Sequence, residues 1–182
     1  SRGIYSLSIP PAANETAALC AEIENPSYLA MSKNKKTLYA VSESDHGKIS
    51  VYGMRKDECT FLQSVETDSA GLVHLTIDSK ERFLFAASYE DASVHMFRLL
   101  GDGMIDKKTC EMKHIGHSAH PVRQDKAYAH SVLLTPSQKE LCVCDLGIDS
   151  LVMYKIDYAN GALTRENERS VSFKDGSGPR HM

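Results

Sequence analysis

Short apolar runs broken by polar turns recur along this 182-residue chain, and they recur in the same order. The clearest copy lies at 128–157. His130–Leu134 and Leu141–Cys144 flank a Thr135-Pro136-Ser137 turn, and Ser150–Ile156 follows a Gly147-Ile148-Asp149 loop. Aliphatic and β-branched runs of this length between turn residues predict three short strands. Asn160-Gly161 then supplies a two-residue hairpin signal that leads to a fourth strand near Leu163. The unit reads as a four-stranded antiparallel meander.

Two further copies precede it. Tyr28-Leu-Ala-Met-Ser, a polar turn, Leu38-Tyr-Ala-Val-Ser and Ile49-Ser-Val-Tyr form one. His74-Leu-Thr-Ile-Asp, a polar turn, Leu84-Phe-Ala-Ala-Ser-Tyr and Val94-His-Met-Phe form the other. The second-strand leucines fall at Leu38, Leu84 and Leu141, spacings of 46 and 57 residues. The first is close to the roughly 40–45-residue period of four-stranded propeller blades, and the second is that period plus an insertion. Leu38-Tyr-Ala-Val is apolar on both faces, as expected of a strand sandwiched between neighbouring sheets. No convincing amphipathic helix is found.

The fold class predicted is all-β, a partial β-propeller. Blades are expected at 25–68, 69–115 and 128–173, with 116–127 as one long loop. Arg2–Ile9 and Leu19–Glu24 read as the tail of an earlier blade, joined by a loop at Pro10–Asn14. Gly176–Met182 reads as the start of a later one. Three blades and two stubs cannot close a ring, so the chain is expected to be part of a longer protein with open sheet edges that favour self-association. A complete three-sheet prism is the alternative.

Composition narrows the partners. A net charge of −3 without long Lys/Arg runs argues against nucleic acid, and no apolar run reaches the roughly 20 residues of a membrane span. Five cysteines (20, 59, 110, 142 and 144) lack CxxC spacing, and several fall in predicted strands. A reducing, cytoplasmic compartment is expected.

Aligning the first strands puts Ser27, Val73, His130 and Arg180 in one column, with Tyr28, His74, Ser131 and His181 beside it on the opposite face. His130 and Arg180 then converge beside the channel mouth, a pairing suited to an anionic substrate that needs a general base. Glu43, Tyr89 and Asp145 reach the same rim from the second strands. His114, His117 and His120 run at i, i+3 and i+6, but no helix aligns them and no Cys or carboxylate joins them, so no metal is assigned.

These segments resemble the seven-bladed propeller lactonases, which include bacterial 6-phosphogluconolactonases and fungal carboxymuconate lactonizing enzymes. The resemblance is carried by Asn25-Pro26-Ser27-Tyr28-Leu29, by Arg123-Gln124 with Ala129-His130-Ser131-Val132, by Asp145-Leu146-Gly147 with Asp149, and by Gly176-Ser-Gly-Pro-Arg-His181. It implies that His130 and Arg180 belong to an active-site cleft whose catalytic glutamate lies on a later blade. Tyr128 stands where the family has the first histidine of His-x-His. The expected reaction is hydrolysis of a small anionic lactone, with 6-phosphogluconolactone favoured. His130 activates water, Arg180 holds an oxyanion or substrate anion, and Arg123, Gln124, Asp145 and His181 contact substrate. No cofactor enters this scheme. Muconate lactonization and a non-catalytic scaffold remain open.

Overall fold

The computed structural model describes residues 2–10, 16–56 and 58–182. Residues 11–14 of the predicted Pro10–Asn14 loop lie outside them. β1 (Gly3–Ser6) and β2 (Ala18–Glu22) form a two-stranded sheet. Three larger antiparallel sheets follow in chain order. The first is β3 (Pro26–Met31), β4 (Thr37–Ser42), β5 (Lys48–Arg55) and β6 (Glu58–Glu66). The second is β7 (Leu72–Ile77), β8 (Phe83–Ser88), β9 (Ser93–Leu99) and β10 (Ile105–Lys113). The third is β11 (Ala129–Leu134), β12 (Glu140–Asp145), β13 (Ser150–Asp157) and β14 (Ala162–Arg165), with β15 (Val171–Ser172) also on β13. β7 lies beside both β3 and β11, so the innermost strands face one another around a common axis.

The second strands carry the core because both of their faces are covered. Phe83, Phe85 and Ala87 of β8 pack against Val132, Leu141 and Val143 of the third sheet. Leu84 and Ala86 pack the other way, against Tyr39, Val41 and Val51 of the first. Leu38 and Ala40 meet Ile4 and Ala21 of the two-stranded sheet. Full burial stabilises by roughly 1.5–3 kcal/mol per large apolar side chain, and here it is shared between adjacent blades. Cys20 and Cys59 belong to the outermost of these contacts, with their Sγ atoms 2.7 Å apart and Met54 Sδ 3.4 Å from Cys59.

Each first turn is built alike. Ser32, Asp78 and Thr135 accept, through their carbonyls, the N–H of Lys35, Glu81 and Gln138. Those three acceptor-side residues differ in type, yet the third residue beyond each takes a positive φ of 54–59°.

The structure departs from the sequence pattern in three places. The β13–β14 connection is a four-residue loop, since Asp157 pairs with Ala162. The Asp157 carboxylate accepts the N–H of Ala159 and Asn160, and Gly161 sits at φ 66°, so the turn is longer than the Asn-Gly signal implied. The fourth strand of the third sheet is split. β14 pairs with residues 154–157 of β13 and β15 with 150–151, and a 3-10 turn at Asn167–Arg169 loops out between them. Ser170 Oγ spans this break, accepting from Met153 N and donating to Glu166 O. Residues 173–182 form no strand. Among the described residues no helix is long and apolar enough to cross a membrane.

Candidate active site

A register irregularity recurs at the same place in each first strand. Pairing skips one residue between Pro26 and Tyr28, between Leu72 and His74, and between Ala129 and Ser131. The residues passed over are Ser27, Val73 and His130. A bulged residue leaves the ladder and its side chain is re-aimed. All three line one cavity of about 390 Å³. The column read from sequence therefore holds for Ser27, Val73 and His130, each turned towards the cavity by a bulge, whereas Arg180 lies in no strand.

Arg180 and His181 reach this cavity from the C-terminal segment, and Arg123 reaches it from the 116–127 loop. Glu43 and Tyr89, just beyond β4 and β8, line it as well. Tyr28 and His181 were expected on the face opposite Ser27 and Arg180, yet they line the same cavity. Strict alternation fails for Tyr28 because the bulge sits beside it, and for His181 because no strand holds it. His130 is 5% exposed. Its ring lies edge-on to His181 at 5.0 Å and to Tyr89 at 5.6 Å, and its Nδ1 has no hydrogen-bond partner beyond its own residue.

Two expected substrate contacts lie behind the wall instead. Asp145 is completely buried. Its Oδ2 meets His114 Nδ1 at 2.5 Å, and its Oδ1 accepts the N–H of Tyr128, Gly147 and Ile148. Gln124, 2% exposed, donates from Nε2 to Leu146 O and Asp149 Oδ1, and its Oε1 accepts His120 N–H. Both are fully engaged by the chain, so neither is a substrate contact in this structure. The histidine run is dispersed in the same way. His114 is held between Asp145 and Tyr154, His117 is exposed, and His120 Nδ1 accepts the N–H of Val122 and Arg123. Tyr128 stacks on Tyr89 at 4.5 Å and donates its hydroxyl to Asp125.

The sequence placed Asp149 in a loop and in the family resemblance but gave it no role. Its carboxylate is 2% exposed and accepts from Ser118 Oγ, Gln124 Nε2, Gly176 N and Gly178 N. Those four hydrogen bonds hold its pKa below the ordinary carboxylate value despite burial. Its position in a Gly-Ile-Asp loop gave no sign of these partners.

Burial, reinforced by the Arg180 guanidinium and the neighbouring His181 and His74, pushes the His130 pKa down to about 4. His130 is therefore neutral at pH 7, with a lone pair to offer. Burial also pushes His74 down to about 4, with His181 adding to the effect. His95 is lowered to about 4 mainly by burial, although the Glu111 carboxylate 3.6 Å from its Nδ1 pulls the other way. An unfolded histidine titrates near 6.5. Between about pH 6.5 and pH 4 the unfolded chain thus binds protons that the folded chain does not. The stability contributed by these neutral rings is present above pH 6.5 and is lost as pH falls towards 4. Urea denaturation is expected to show a lower midpoint at pH 5 than at pH 7.5. An unchanged midpoint would contradict the burial of these rings as neutral groups.

Known proteins share this fold. Residues 1–182 match the family described as Lactonase, 7-bladed beta-propeller. The chain belongs to this family. A 6-phosphogluconolactonase of Bacillus subtilis (strain 168) is 35% identical over 187 residues, covering 100% of this chain and 52% of the relative. A crystal structure of a protein from Lactobacillus plantarum superposes with a TM-score of 0.84 at 29% identity, covering 100% of this chain and 52% of that one. The periplasmic gluconolactonase PpgL of Pseudomonas aeruginosa gives a TM-score of 0.88 at 24% identity, covering 98% and 53%, a likeness of fold. This lactonase-family chain spans about half the length of the relatives it matches. The three four-stranded sheets are therefore part of a propeller, and lactone chemistry is the activity its relatives' names carry.

Proposed function

We propose that the full-length protein hydrolyses an anionic sugar lactone, with 6-phosphogluconolactone giving 6-phosphogluconate as the favoured substrate. The observation that carries this reading is the convergence of a neutral, bulge-borne His130 with Arg123 and Arg180 on one cavity. In the proposed step His130 takes a proton from water, and the hydroxide so formed attacks the lactone carbonyl. Arg180 stabilises the charge that develops on the carbonyl oxygen or pairs with the substrate anion. The ring C–O bond then breaks, and the departing oxygen receives the proton. An anion paired with Arg180 removes part of the field that depresses His130, so substrate binding itself makes the base stronger. Arg123 supplies a second cationic contact and His181 a polar wall.

The relatives' names favour hydrolysis over muconate lactonization, which would draw on the same His and Arg. Cysteine usage supports a cytoplasmic setting. Assay of the full-length protein on 6-phosphogluconolactone and on a carboxymuconate separates the two reactions. Turnover of the muconate alone would overturn the proposal. If Arg180 anchors the anion, Arg180→Ala raises KM by roughly 10- to 100-fold with a smaller change in kcat. Equal losses in kcat and kcat/KM would move its role to the transition state.

A further inference from the structure

Two segments without strand structure deliver the arginines of the cavity: Arg123 from the 116–127 loop and Arg180 from the stretch after β15. Both are fastened to one carboxylate. Asp149 Oδ1 accepts from Gln124 Nε2 at 2.8 Å and from Gly178 N at 2.6 Å. Its Oδ2 accepts from Ser118 Oγ at 2.5 Å and from Gly176 N at 2.7 Å. An ionised carboxylate has about four acceptor sites, and here all are used. Each oxygen takes one donor from the loop and one from the C-terminal segment. Among the described residues, the hydrogen bonds from 173–182 to the rest of the chain all end on Asp149, whose carbonyl also accepts Phe173 N–H.

We infer that Asp149 is a positioning residue that sets Arg123 and Arg180 at a fixed separation across the cavity. The inference rests on the reading of those arginines as anion contacts. Gln124 is the immediate neighbour of Arg123, and Gly178 lies two residues before Arg180. A change at the shared carboxylate therefore reaches both guanidinium groups through very few bonds. Asp149 sits at φ 49°, a left-handed conformation that Asp and Asn adopt more readily than other non-glycine residues. It does not line the cavity, so it acts only through the segments it holds.

Asp149→Asn is a discriminating substitution. Asparagine keeps the volume and tolerates the backbone angle, but one oxygen becomes an NH₂ donor. Gly176 N, Gly178 N and Gln124 Nε2 can only donate, whereas the Ser118 hydroxyl can turn and accept. The least costly orientation leaves the new NH₂ facing Gly176 N–H, so the Arg180 arm loses one of its two side-chain contacts and is loosened, while Gly178 N keeps the remaining oxygen. Loss of a negative charge near two arginines would, by charge alone, tighten anion binding. Loss of positioning weakens it. The two explanations differ in sign.

In the full-length protein Asp149→Asn is expected to raise KM for 6-phosphogluconolactone roughly 10- to 100-fold with a smaller effect on kcat. Inorganic phosphate, measured by calorimetry, should bind more weakly. Trypsin should cut faster after Lys174 and Arg180. Gln124→Leu should release the other arm alone, weakening phosphate binding and speeding cleavage after Arg123 with no change after Arg180. A folded Asp149→Asn protein with unchanged or tighter phosphate binding and an unaltered tryptic pattern would overturn the inference. Should that variant fail to fold, Gln124→Leu decides it by the same two readouts. If the wild-type protein hydrolyses no lactone, the substrate reading fails, and phosphate binding and proteolysis still decide the role of Asp149.

Discussion

Replacing His130 with alanine is expected to lower kcat of the full-length protein by roughly 10²–10⁴-fold, the range for loss of a general base. Three observations set this size. The β11 bulge directs His130 into the cavity, burial beside Arg180 keeps it neutral at pH 7, and Nδ1 has no partner outside its own residue. Truncation removes ring contacts to Tyr89 and His181 but no hydrogen bond to another residue's side chain, so the fold should survive. KM should change little, because the proposed anion contacts are Arg123 and Arg180. Steady-state kinetics on 6-phosphogluconolactone, corrected for spontaneous hydrolysis, read the effect. Undiminished kcat would exclude His130 as the base.

Asp145→Ala is expected to destabilise the protein by about 3–5 kcal/mol, because several buried donors lose their acceptor together, each at roughly 1–3 kcal/mol before relaxation. This side chain is completely buried and serves His114 together with the N–H groups of Tyr128, Gly147 and Ile148. His114 directly follows β10, and its Nε2 meets Tyr154 Oη at 2.7 Å on β13. The Asp145–His114–Tyr154 chain thus bolts the second sheet to the third beneath the 116–127 loop. Removing the carboxylate strands several buried donors at once, each costly to leave unsatisfied. Denaturant unfolding should show a large drop in midpoint. A shift of only a few tenths of a kcal/mol would mean that water replaces the carboxylate.

The repeat was legible because its signal is local. Leu38, Leu84 and Leu141 mark second strands of a repeated unit, and strands this apolar need cover on both faces, which neighbouring sheets supply here. His130 and Arg180 line one cavity as the sequence suggested, although Arg180 arrives on a segment without strand structure rather than in a shared strand column. The bulges were not legible, since a skipped residue shows itself only in how the partner strand pairs. Hence Tyr28 was assigned to the wrong face, while His181 reaches the cavity, where a substrate contact was expected of it, on a segment that no strand holds. Asp145 and Gln124 were misread because a polar residue that contacts a ligand and one that holds the wall behind it look alike in sequence. Tyr128 was read only as a departure from the family. Its stacking on Tyr89 and its bond to Asp125 give that position a packing role. The role of Asp149 was not legible because its four donors come from positions 118, 124, 176 and 178, far apart in the chain.

Two arginines and a neutral histidine are proposed to form a site for an anionic lactone. The most direct test compares kcat/KM of the full-length protein on 6-phosphogluconolactone and on unphosphorylated gluconolactone. Charge-assisted contacts to the phosphate should favour the first by roughly 10- to 100-fold, and Arg180→Ala should erase most of that ratio. Equal turnover of both lactones, or none above the spontaneous rate, would contradict the account.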